Sequence, residues 1–153
     1  MNRALFIFSL ALVFIPASVS AADTSPFEQL RTRLMNGTPT ISVIDFNQCK
    51  QTSGTAHGNL KSMGGFLIDA FMILPEPNAT IAYSYQHFTV APDGTPVTEL
   101  AQYRILANGT ATAKFNRLSP TTFKPLIEPF VFECSLGAGI RFVPEASSSK
   151  GVD

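Results

Sequence analysis

The chain has 153 residues, with 11 Lys plus Arg against 11 Asp plus Glu, and only 14% charged residues beside 45% apolar ones. Few charges and many apolar residues exclude intrinsic disorder. With no basic excess, nucleic-acid binding through bulk positive charge is excluded too. The length suits one domain.

Residues 1–22 have the three-part layout of a secretory signal peptide: Arg3, the uncharged run Ala4 to Ile15, then Pro16 and a small, mostly polar stretch. Cleavage is expected after Ala21 or Ala22. The run is too short to span about 30 Å of hydrocarbon, and no second long apolar run follows, so no stable membrane insertion is expected after cleavage. The remaining chain, 23–146, reads as a single domain, with a disordered tail at 147–153.

A helix is expected over Ser25 to Asn36. Ser25 and Glu28 make a capping box, Pro26 suits the first helical position, and Phe27, Leu30 and Leu34 share one face. Gly37 is a good stop. The period then switches to two. Strands are expected at Thr40–Phe46, Gly65–Leu74, Thr80–Val90, Val97–Leu106, Thr110–Leu118, Phe130–Leu136 and Ile140–Val143. Residues Gln51 to Met63 read as a mobile loop. The run Gly65–Leu74 is apolar on both faces and reads as a central, covered strand. Pro92-Asp93-Gly94 and Asn108-Gly109 mark hairpin turns, the latter of two residues. Short connections force antiparallel neighbours. The fold class is therefore α+β, mostly β: an N-terminal helix packed on an antiparallel meander of about seven strands, as a bent sheet or partly open barrel.

Cys49 and Cys134 are the only cysteines. In an exported chain they read as one disulfide, the alternative being a reactive thiol without C-x-x-C support. Closing a loop of more than 80 residues would contribute about 4–5 kcal/mol by chain entropy.

Motifs for nucleophilic serine, phosphate-binding, zinc and dithiol chemistry are all missing from the sequence. No metal site and no cofactor is expected. The two histidines are His57, in a polar loop, and His87, which shares a strand face with Ile81, Tyr83 and Tyr85. Tyr83, Tyr85, His87 and Phe88 are the candidate ligand-binding residues; the competing reading of this face is half-buried sheet packing. Asp45 and Asp69 lie in apolar strands, so each needs a partner, with Arg104, Arg141 and Lys61 as candidates. A buried polar network of Asp45, Asp69, Arg104 and Arg141 is expected, in which removing Asp69 costs about 3–5 kcal/mol. The alternative is acid–base work by paired carboxylates. The sequons at Asn36, Asn78 and Asn108 all fall in expected turns, which explains the asparagines without glycans.

An ordered set of pieces runs through the chain: Ile44-Asp45-Phe46-x-x-Cys49, Gly64-Gly65-Phe66-x-Ile68, His87-Phe88-Thr89, Thr95-Pro96-Val97, Tyr103-Arg104, Asn108-Gly109 and Phe132-x-Cys134-x-x-Gly137-x-Gly139-Ile140-x-Phe142. Together they resemble the VirK protein family over about residues 30–143. The resemblance implies a small exported bacterial protein linked by name to virulence or host interaction. It implies no catalytic residue, substrate or cofactor, and it supports pairing of Cys49 with Cys134. The leading functional expectation is a periplasmic or secreted non-enzymatic interaction module with a protein partner. The alternatives are a small-ligand-binding β-domain and a hydrolase-like enzyme using His87 with Asp45 or Asp69.

Overall fold

The computed structural model describes residues 24–54 and 62–145. The expected export signal and tail, His57 and Lys61 lie outside the described residues.

Helix α1 (Pro26–Met35) begins as its sequence dictates, with Ser25 Oγ accepting from the Glu28 amide at 3.3 Å. Its end is fixed by Gly37, in the left-handed region at φ +66°. There the Gly37 and Thr38 amides return to the Leu34 and Arg33 carbonyls, the paired bonds of a Schellman stop. Phe27, Leu30 and Leu34 are buried. Arg33 Nη1 donates to the Phe142 carbonyl at 2.8 Å, tying the helix to the last strand.

Nine strands follow among the described residues: β1 (Thr40–Asp45), β2 (Cys49–Ser53), β3 (Met63–Leu67), β4 (Phe71–Leu74), β5 (Thr80–Val90), β6 (Pro96–Leu106), β7 (Thr110–Leu118), β8 (Phe130–Ser135) and β9 (Ile140–Pro144). All pairing between them is antiparallel, in a three-stranded sheet ordered β3-β1-β9 and a six-stranded sheet ordered β2-β8-β7-β6-β5-β4. Two bent strands join the sheets. One runs β1 to β2 through a 3₁₀ turn at Phe46–Gln48, and the other runs β3 to β4 through residues 68–70. The result is a partly open barrel with α1 over one end.

Two expectations change here. Residues 51–53, expected to start a loop, belong instead to the strand Cys49–Ser53: β2 pairs with β8, and Cys49 stands directly opposite Cys134. The run Gly65–Leu74 is not one covered central strand. It bends at Ile68, whose amide donates to the Thr40 carbonyl, and its halves become edge strands of different sheets. Met63, Leu67, Phe71, Met72 and Leu74 are consequently exposed.

The hairpins match their turn residues with one adjustment. The β6–β7 connection has three residues, and only Gly109 takes positive φ, at +87°. Such a turn is a type I turn followed by a left-handed glycine. Asn108 Oδ1 accepts from the Thr110 amide and hydroxyl. The three sequon asparagines all sit at turns or helix ends.

The disulfide Cys49–Cys134 links β2 to β8 with a Cα separation of 4.4 Å, the spacing of a directly opposed, non-hydrogen-bonded pair. Gly139 packs against it. A Cβ there would lie 2.7 Å from Cys49 Sγ and 2.9 Å from Cys134 Cβ.

Candidate functional site at the open mouth

The barrel interior is filled by stacked rings. Tyr83 and Tyr103, paired across β5 and β6, stack at 5.0 Å, and Phe66 lies on Tyr83, Tyr85 and Tyr103. Phe115, Phe132 and Phe46 continue the chain. The Tyr83 hydroxyl meets the buried Ser42 hydroxyl at 2.9 Å. Burial pushes the Tyr83 phenol well above its ordinary range, outweighing that hydrogen bond. Burial pushes the Tyr103 phenol up in the same way. Both rings are structural: they fill the space a deep pocket would need.

Period-two alternation carries the same face of β5 outward to the mouth, away from α1. Tyr85 reaches the rim, 40% exposed, with its ring stacked on Phe66 at 4.7 Å. His87 follows, with its ring 5.5 Å from Tyr85. The register sets Glu99 of β6 opposite His87, and Arg117 of β7 opposite Glu99. Glu99 bridges both: its Oε2 lies 3.5 Å from His87 Nε2, and its Oε1 accepts from Arg117 Nη2 at 2.9 Å.

Beside this ionic ladder is a recess of about 410 Å³ walled by Phe46, Phe115, Phe130 and Phe132, with Glu99 and Arg117 at its rim. Arg117 Nε is buried and has no hydrogen-bond partner among the described residues. A buried donor left unpaired costs about 1–3 kcal/mol. The mouth therefore offers an aromatic floor, a guanidinium held by Glu99, and one buried donor without a partner among the described residues.

Of the sequence candidates, Tyr85 and His87 come together here. Tyr83 lies deeper, in the filled core. Phe88 does not belong to the site: alternation turns it to the opposite face of β5, where it is 64% exposed. Glu99 and Arg117 escaped the sequence reading. Counting outward from the Pro92–Gly94 turn would have aligned Glu99 with His87, but a two-residue turn at Asn108-Gly109 would have set Leu118, not Arg117, opposite Glu99.

The buried polar network does not form. Asp45 is half-buried, and its carboxylate accepts from the Asn47 amide and Nδ2, capping the 3₁₀ turn. Asp69 is exposed because the β3–β4 bend turns it out of the apolar run. Arg104 and Arg141 are exposed because they alternate with inward Tyr103, Ile105, Ile140 and Phe142. Among the described residues none of the four is ion-paired to another. The carboxylate within reach of His87 is Glu99, so the pairing of His87 with Asp45 or Asp69 imagined for a hydrolase is not built. No cluster of three or more metal-ligating side chains occurs among the described residues.

A family model described as VirK protein matches residues 23–123. The chain belongs to the VirK family. All four residues of the mouth ladder and rim lie inside that match, while Phe130, Phe132 and Cys134 lie beyond it. A VirK relative in Sinorhizobium fredii (strain NBRC 101917 / NGR234), Uncharacterized protein y4wH, is 30% identical over 135 residues, covering 86% of this chain and 90% of the relative. A Rhizobium radiobacter protein, Uncharacterized protein in pinF2 3'region, is 28% identical over 134 residues, covering 85% and 90%. The crystal structure of a VirK family protein from Legionella pneumophila shares the fold, with TM-score 0.67 at 20% identity, covering 76% of this chain and 94% of that one.

Proposed function

We propose that this VirK protein is an exported, non-enzymatic interaction module that engages a protein partner through the open mouth. The observation that carries the reading is the contrast between a ring-filled interior and an aromatic recess at the rim. Interfaces concentrate their binding strength in such features: buried aromatic walls, an arginine, and polar groups around them. Glu99 pairs with Arg117 and lies 3.5 Å from His87 Nε2, an arrangement suited to holding an arginine in place.

Export is part of the proposal. It is supported by the signal-like segment at 1–22 and by the Cys49–Cys134 disulfide, a bond that persists in oxidising compartments. No helix among the described residues is long and apolar enough to cross a membrane. The setting we propose, virulence-associated contact in the periplasm or outside the cell, rests on the family name.

The test places a photo-crosslinking residue at Tyr85 on the rim and, as control, at Glu76 near the helix end, in the cell that makes the protein. A discrete protein adduct from position 85 and none from position 76 is expected. Equal labelling from both, or none from position 85, would contradict the proposal. A second reading, a small-ligand site in the same recess, is favoured by Arg117 Nε, which is without a partner among the described residues. That reading calls instead for a stoichiometric small-molecule mass on the exported protein, removed by Arg117→Met.

A further inference from the structure

The six-stranded sheet carries a second concavity, of about 670 Å³, whose lining reaches Tyr83 and Tyr103. Arg104 and Lys114 stand in it, with Phe71, Met72 and Val131 among its apolar lining. Register puts Arg104 opposite Thr112 and Lys114 opposite Gln102, so the two cations are diagonal neighbours on adjacent strands. Diagonal positions lie within reach of long side chains, and like charges on one sheet face repel. Neither cation has an ion-pair partner among the described residues. The acid on this face, Glu133, stands opposite Thr112 and Lys50, and it is ion-paired to none of these cations. Ala82 and Ser84, both small, keep the space beside Arg104 open.

We propose that this groove binds a small amphiphilic anion: a carboxylate or phosphate head on Arg104 and Lys114, with an apolar body along Met72 and Val131, which the register sets on the same face. A guanidinium matches such a head bidentately, and an anion there removes the repulsion between the two cations. The volume falls within the range of about 300–1,000 Å³ typical of small-ligand sites. The site is separate from the mouth and does not depend on it.

The experiment titrates the mature oxidised protein with octanoate, acetate and octanol, following backbone amide shifts. Octanoate should shift residues around Met72, Ala82, Arg104 and Lys114 saturably. Acetate lacks the body and octanol lacks the charge, so each should bind at least about tenfold more weakly, as expected for losing apolar burial or a charge-assisted hydrogen bond. Arg104→Ala with Lys114→Ala, both at exposed positions, should keep the fold and lose octanoate binding by about tenfold or more. Undiminished binding in that variant would overturn the proposal, as would octanol binding as well as octanoate, shifts confined to Phe115 and Arg117, or no saturable shift with octanoate. Crosslinking from Tyr85 should be unchanged in the double variant, so failure here leaves the mouth reading standing, and the reverse.

Discussion

Tyr83 shows how one side chain serves the interior. Its ring joins the stack and its hydroxyl satisfies Ser42, which is 1% exposed. Tyr83→Phe keeps the ring and strands the Ser42 hydroxyl, so a loss of about 1–3 kcal/mol is expected in chemical denaturation. Burial holds the Tyr83 and Tyr103 phenols neutral past their ordinary range. Below about pH 10 both phenols are neutral, folded or unfolded. Above it only the unfolded chain ionises them, so stability present at lower pH is lost as pH rises, by up to about 1.4 kcal/mol per unit for each phenol. Phenolate absorbance from these two rings should appear together with unfolding, not before it. Asp69 makes the opposite case. It is exposed at a bend and has no ion pair among the described residues, so Asp69→Ala should change stability by no more than about 0.5 kcal/mol. A loss of several kcal/mol would restore the buried network that the fold removes.

Among the elements, α1 depends on its buried face and its caps. Leu30 is fully buried, and Leu30→Ala should cost about 2–5 kcal/mol. Ser25→Ala removes the cap and should cost about 1 kcal/mol; both are read from thermal or denaturant midpoints. This helix was legible in the sequence because its signals are local: a capping serine, a 3.6-residue apolar period and a stopping glycine. Strands β5 to β7 were legible for the same reason, through alternation and turn residues, although the β6–β7 register lies one residue from that of the expected two-residue turn. The bends between β1 and β2 and between β3 and β4 were not. A strand that crosses from one sheet to another keeps its alternation, and no Pro or Gly marks residues 68–70. Asp69 therefore looked buried, and an edge looked like a centre. The mouth was half legible: His87 and Tyr85 came from one strand's alternation, whereas Glu99 and Arg117 required the pairing of three strands.

The whole molecule is a bent, partly open barrel whose ends differ. One end is closed by α1, and the other carries the aromatic recess and its ion ladder. The disulfide closes a loop of 85 residues between β2 and β8. Its reduction should lower stability by about 4–5 kcal/mol by chain entropy, seen as a lower melting temperature with reductant. An unchanged melting temperature would show that the sheet pairing alone fixes that edge. On the proposed function, interior and mouth divide stability from recognition. Arg117 and Glu99 are about one-third exposed and contribute little to folding, since such pairs are worth about 0–1 kcal/mol. The most direct measurement is the Tyr85 crosslink in an Arg117→Met protein, with its melting temperature read on the same sample. The account requires a folded protein with nearly unchanged melting and an adduct reduced to the level of the Glu76 control. A folded variant that still forms the full adduct would contradict it.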